Sequence, residues 1–452
     1  MKRACVFLSG IVALALAVAF AGTLRAADAP GDELVEMIVT LVSDQDRDMR
    51  AVGLQQVREE AKGAAATRKF SALLPKLPTE AQAGLLDALG DRGDNTARPA
   101  VLEMLRSQEE PVRAAALRAL GTLGDTADVP LLAKWLAAVG AEKTAAKAAL
   151  VRLHGQGVSA AIIGEAKQAK PEIRIDLLGV LAARGATDGV PLVLEAAGDA
   201  DAGVRLAALA ALRALAGKEH AAAVVKVLKA AKDSQEQWQA ETALLTVCTR
   251  GREGCVDAIL AGMADAGPAA AESLLRALAR SGGDKALGAI VAATKDERPA
   301  VGAEAVRVLA YWRTAEAIPH LLAIAKQAGP IGHHATAVQG LIRLASPVQD
   351  RPANMALLGE AMKLARRSEE KRMVLGVLGG VATKESLALV TPAMDDPDLT
   401  DEACLAAVLI AQKLPRVDQA TRRAVFEKAA AKAKDRQIRE RAKEAIKGEQ
   451  VR

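Results

Sequence analysis

The sequence predicts an all-α fold, a solenoid of about 13 helix-turn-helix repeats, and three observations predict it. A unit of about 32 residues recurs along the chain; its clearest copy begins at Val112 and reads V-R-x-x-A-L-x-x-L-G-x-x-G-D-x-x-x-V-P-x-L. The apolar residue closing the first half of each unit forms an unbroken series: Val57, Leu89, Leu120, Leu153, Leu181, Leu212, Leu245, Leu278, Leu309, Leu344, Leu378, Ile410 and Ile446. Spacings of 28 to 36 residues leave no gap that could hold another kind of domain. Aromatic residues make up 2% of the 452-residue chain, too few for a wide core but suited to Ala-Leu-Val contacts between close helices. Repeats of this length bury their apolar faces only against their neighbours.

Each part of the unit has a local reason. Eight residues before several of the closing residues stands an apolar residue followed by Arg: Met49-Arg50, Val112-Arg113, Ile173-Arg174, Val204-Arg205 and Ile438-Arg439. Eight residues is close to two helical turns, so both apolar positions share a face and the spacing predicts an amphipathic first helix. Gly93, Gly124, Gly157, Gly185 and Gly282 follow four residues later, where glycine suits a left-handed helix stop. Asp94, Asp125, Asp188 and Asp284 come next and predict caps for the free N–H groups of a second helix. Pro99, Pro130, Pro191 and Pro319 then sit where a first helical turn tolerates proline. The register is soft at Leu153, Leu245 and Leu344.

The V-R-x-x-A and G-D-x-x-x-V-P-x-L signatures resemble the HEAT-repeat family, and more narrowly its short bacterial repeats, also seen in phycobilin lyase-type proteins. The resemblance covers about residues 32–448 and is best in the copies beginning at Val112 and Ile173. It is weak around Leu344 and Leu378, and the Leu309 unit keeps Pro319 but has Arg313 where other units have Gly. The resemblance implies a curved, right-handed, armadillo-like superhelix with second helices lining the concave face. It also implies protein binding as the role.

Lys2 and Arg3 precede a 17-residue apolar run, 6–22, followed by the small residues Ala26, Ala27 and Ala29. This pattern predicts a secretory signal peptide over 1–26 and a protein of the periplasm or cell envelope, or one released outside the cell. The alternative is an uncleaved anchor at the short limit of a membrane span, the one route to membrane association in the sequence. One continuous solenoid, 27–448, and a short tail, 449–452, are expected after it. Cleavage removes Lys2, Arg3 and Arg25 and lowers the net charge from +5 to +2, which leaves no basic footprint for nucleic acid. Residues 415–452 carry twelve Lys/Arg against six Asp/Glu, as expected for the solvated outer face of a terminal repeat.

Candidate sites are few. Trp135 falls in a second helix and Tyr311-Trp312 at the end of a first one; all three are candidate partner anchors, because aromatic residues dominate interface energies. Cys248 and Cys255 flank a turn and are candidates for a disulfide in an exported protein; Cys404 is expected buried. A C-x6-C spacing without a nearby His does not suit zinc, and His333-His334 point about 100° apart on a helix, so neither metal nor cofactor is expected. No G-x-S-x-G, H-E-x-x-H or phosphate-loop motif occurs, and no catalytic residue is assigned. The expected function is a non-catalytic scaffold that binds protein partners through its concave face. A self-associating envelope protein is the alternative, and a lyase-type accessory enzyme a more distant one.

Overall fold

The computed structural model describes residues 30–327, 329–346, 352–414 and 419–450. The expected signal peptide, 1–26, lies outside the described residues, as do 451–452 of the tail. The described residues form α-helices and short 3-10 turns, with no strand among them, and the all-α solenoid is the observed fold. They group into two compact units, 1–158 and 159–452.

In the first unit lie α1 (Pro30–Val42), α2 (Arg47–Glu59), α3 (Ala64–Ser71) and α4 (Thr79–Arg92). They are followed by α5 (Arg98–Met104), α6 (Glu110–Leu123), α7 (Val129–Trp135) and α8 (Gly140–Arg152). The second unit opens with α9 (Val158–Gln168), α10 (Pro171–Arg184), α11 (Val190–Ala196) and α12 (Ala202–Leu215). Next come α13 (Ala221–Lys229), α14 (Ser234–Gly251), α15 (Val256–Met263), α16 (Pro268–Ser281) and α17 (Asp284–Ala293). Then follow α18 (Pro299–Ala310), α19 (Ile318–Lys326), α20 (Ile331–Ala345), α21 (Pro352–Leu364) and α22 (Ser368–Leu378). The unit ends with α23 (Lys384–Val390), α24 (Thr400–Lys413), α25 (Gln419–Lys432) and α26 (Arg436–Gln450).

The even-numbered helices are the expected first helices, called V-R helices below. Twelve of the thirteen closing residues lie on them, and Leu153 stands one residue past α8. Where the register is soft, a neighbour takes the core position: Leu245 and Leu344 are half-buried, whereas Leu244 and Leu341 are fully buried. Pro99, Pro130, Pro191 and Pro319 sit in the first turns of α5, α7, α11 and α19. Asp94 and Asp125 accept the N–H groups of Thr96 and Ala127 and cap the 3-10 turns that lead into α5 and α7. Asp188 lies inside such a turn and does not cap it, and Asp284 is already in the first turn of α17, where it meets the helix dipole instead.

Gly93 and Gly185 end α4 and α10 in the left-handed region, with φ of 72° and 65°. Gly124 is different. Its backbone is extended, and glycine is needed for space, since a Cβ would lie 2.6 Å from the Leu120 carbonyl oxygen. Gly157 stands at the entry to α9, not at the end of α8.

The arginine of the V-R pair carries a role that the periodicity did not reveal. Arg50, Arg113, Arg205 and Arg439 each donate through Nη1 to two successive carbonyls, five and six residues upstream. Arg174 instead donates through Nε and Nη2 to the carbonyls of Ala166 and Lys167 in the last turn of α9. These carbonyls lie at or just past the end of the preceding odd-numbered helix. Helix ends leave such oxygens unpaired, and a cation there is favoured by the dipole. A second carboxylate contact balances the charge: Glu142 on α8 for Arg113 and Glu236 on α14 for Arg205.

Several consecutive V-R helices pack along their length, α4 with α6, α6 with α8 and α10 with α12 above all, while most consecutive odd-numbered helices touch at few points. Small residues permit the close approach. A Cβ on Gly121 of α6 would lie 3.0 Å from Ala149 Cα on α8, and one on Gly340 of α20 would lie 2.8 Å from Ala310 Cα on α18. Alanine favours a helix over glycine by about 1 kcal/mol, but here overpacking of about 1–3 kcal/mol opposes it. Gly340→Ala is therefore expected to lower the urea midpoint of the full chain, and a rise would show that the helices can separate without loss.

Candidate partner-binding surface

Within each unit the V-R helices form the more closely packed layer. The reason lies in composition: the L-G and Ala positions of the V-R helices let backbones meet.

In the second unit, α14 presents an apolar stripe from this layer. Trp238 is 61% exposed. Thr242, Leu245 and Thr249 follow at spacings of four, three and four residues, which keeps them on one helical face. The threonine hydroxyls do not face outward as free polar groups. Thr242 donates to the Trp238 carbonyl at 2.8 Å and Thr249 to the Leu245 carbonyl at 2.7 Å, so each hydroxyl is spent on its own helix. A shallow cleft of about 370 Å³ continues the stripe between Thr246 and Arg280.

One flank of the stripe is an ion-paired seam. Arg276 of α16 donates to both carboxylate oxygens of Glu241 on α14, at 2.5 and 2.7 Å, and to Glu304 on α18 at 2.9 Å. Ser273 adds a bond to Glu241 at 2.7 Å. Burial pushes the Glu241 carboxyl up, but the Arg276 and Ser273 hydrogen bonds outweigh it and hold it below the ordinary value. The same contacts raise the Arg276 guanidinium, the bond to Glu241 most of all. Aromatic and aliphatic surface beside satisfied polar groups has the composition of a protein interface, with an apolar centre and a polar rim.

The aromatic residues singled out from the sequence divide. Trp135 is half-buried at the end of α7, in the other unit. Tyr311 is 67% exposed just past α18, with the Arg343 guanidinium 5.9 Å from its ring centroid. Trp312 is 6% exposed and donates its indole N–H to Thr314 Oγ1 at 3.0 Å, so it packs the turn and offers no surface to a partner. Arg343 holds this turn, donating to the carbonyls of Ala310 and Trp312. Trp238 is not among the candidates the sequence singles out; its W-x3-T-x2-L-x3-T spacing is the available signal.

The disulfide expected between Cys248 and Cys255 is absent: both are free, buried thiols, as is Cys404. Helix α14 continues three residues past Cys248, and a 3-10 turn then returns Cys255 onto its last turn, where its thiol points to the Val247 carbonyl. Burial pushes the Cys248 thiol up to about 12 and also raises that of Cys255. Such thiols react slowly with alkylating reagents. Iodoacetamide is expected to spare Cys248 and Cys255 in the folded chain and to modify both in denaturant without reductant. Protection that persists in denaturant until reductant is added would show a bridge.

Among the described residues, no group of His, Cys, Asp or Glu could hold a metal ion, and no helix is long and apolar enough to cross a membrane.

Residues 68–151 match the family described as HEAT repeats. Solved structures with a similar fold include the karyopherin Kap121p bound to the extreme C-terminus of the protein phosphatase Cdc14p, at 12% identity and a TM-score of 0.51. Kap121p bound to Nup53p is similar at 14% identity and a TM-score of 0.50. Each match covers 92% of this chain and 53% of the solved one, so the chain spans about half the length of these structures. At this identity the likeness is one of fold. No curated protein matches the sequence.

Proposed function

We propose that this chain of HEAT repeats is an exported, non-catalytic scaffold that binds a protein partner on the V-R face of its second unit. The observation that carries the reading is Trp238, a large aromatic ring left 61% exposed on a stripe whose neighbouring hydroxyls are already satisfied. Trp is the residue most enriched among those that dominate binding energies. Export to the periplasm or cell envelope rests on Lys2, Arg3, the apolar run and Ala26. The fold likeness to karyopherins, structures solved with protein ligands bound, supports a binding role without naming the ligand.

A photo-reactive amino acid placed at position 238 of the full chain tests the binding face. A saturable cross-link to one envelope protein, absent when the probe stands at exposed Val139 of the first unit, is the expected result. Cross-links only between copies of the chain would instead favour a self-associating envelope protein. N-terminal sequencing of the exported product is expected to begin at Ala27, and an intact N-terminus would overturn cleavage.

A further inference from the structure

Between α17, α18, α19 and the start of α20 lies a cavity of about 300 Å³, apart from the α14 stripe. Val291, Val306 and Ile324 form its apolar walls, and Lys295, His320 and His333 bring polar groups to it from three different elements. No carboxylate lines it. Among the described residues, the Lys295 ammonium and the imidazoles of His320 and His333 have no hydrogen-bond or ion-pair partner.

The contrast with the adjacent histidine is informative. His334 is buried and its Nε2 lies 3.1 Å from the Leu364 carbonyl at the end of α21. A nitrogen facing a carbonyl must carry the proton, so His334 is spent on holding two helices together. His333, turned about 100° along the same helix, lines the cavity beside His334 and has no such carbonyl partner. His320, thirteen residues before His333, joins the two adjacent histidines in the cavity lining, and of the three only His334 is already engaged.

These side chains are rich in donors. An ammonium offers three N–H groups and no acceptor, and even a neutral imidazole offers one N–H. Charge-assisted bonds from such groups to a carboxylate are among the strong ones. An apolar wall on the other side suits a branched alkyl group, which inorganic phosphate and sulfate lack. Pockets that are mostly apolar with a few convergent polar groups are the usual form of a small-ligand site, and this one is at the small end of the range.

We propose that this cavity binds a carboxylate bearing a small branched alkyl group, with Lys295, His320 and His333 on the carboxylate and Val291, Val306 and Ile324 around the alkyl group. The carboxylate can belong to a free acid or to the C-terminus of a chain ending in Leu or Val. The proposal does not depend on the partner-binding role of Trp238.

Titration of the full chain followed by the imidazole C–H resonances of His320, His333 and His334 tests it. Isovalerate is the probe, isovaleramide its neutral counterpart, and acetyl-glycyl-leucine and its amide represent a chain terminus. Saturable shifts at His320 and His333 with isovalerate are expected, larger than any at His334, whose Nε2 is held by the Leu364 carbonyl. The amide is expected to bind about tenfold or more weakly, a difference of about 1.4 kcal/mol. K295M and H333Q should each weaken the acid, and added salt should do the same by screening the ammonium. An unchanged denaturant melt of each variant reports that the fold is intact. Tighter binding of acetyl-glycyl-leucine than of isovalerate would identify a chain terminus as the ligand, and the reverse order a free acid. Equal binding of acid and amide, unchanged affinity in both variants, or no saturable shift with either acid would overturn the proposal.

Discussion

Arg205→Ala is expected to destabilise the second unit by about 3–5 kcal/mol, the range for breaking a buried ion pair by removing one partner. Arg205 and Glu236 are 7% and 4% exposed, and Arg205 Nε donates to Glu236 Oε1 at 2.8 Å. The substitution leaves a buried carboxylate without its counter-charge and also frees the carbonyls of Asp199 and Ala200. The Arg205 hydrogen bond is the main reason the Glu236 carboxyl lies below its ordinary value of 4.5. A depressed carboxyl contributes stability that is present above the ordinary value and lost as pH falls through the lowered one. Denaturant melts of the full chain should therefore show a loss of stability below about pH 4.5, and Arg205→Ala should blunt that dependence as well as lower the midpoint at pH 7. The double substitution R205M/E236L removes both charges and should recover most of the loss. An unchanged midpoint in Arg205→Ala would mean that the pair is solvated and the clamp dispensable.

Trp238→Ala and Trp312→Ala are expected to separate binding from stability. Trp238 is exposed, so its truncation should alter the denaturant midpoint by less than about 0.5 kcal/mol. It should nonetheless weaken the cross-linked partner by about 2–4 kcal/mol, roughly 30- to 1000-fold in affinity. Trp312 is packed in its turn, and losing it should cost about 3–5 kcal/mol of stability. Affinity measured by calorimetry, beside melts of both variants, checks the pair. Full affinity in Trp238→Ala would remove the stripe from the interface. A silent Trp312→Ala melt would mean that the turn tolerates a void.

Much of the fold was legible because the signals are local. The eight-residue spacing from Val204 to Leu212 places two side chains on one face of one helix, whatever lies beyond. Pro130 and Asp125 specify a helix start within a single turn. The site was less legible. Trp238 lies early in α14 and Trp312 in the turn just past α18, and only packing exposes one and covers the other. Cys248 and Cys255 have a spacing compatible with a bridge, and the turn brings them together as free, buried thiols.

The class of fold, the repeat length, the order of helices and the caps that begin several of them are readable from the residue pattern alone. These rest on contacts within a turn or two of helix, which a one-dimensional pattern records. Tertiary packing settles what the V-R arginines hold and which side chains meet His320 in a cavity. Those outcomes depend on partners a whole unit away, as Arg205 and Glu236 are 31 residues apart, or on helices meeting at angles that no periodicity encodes. A period states that a side chain faces a neighbour. Which atom of that neighbour it meets is settled by how closely the backbones approach, and here small residues such as Gly121 and Ala149 set that distance.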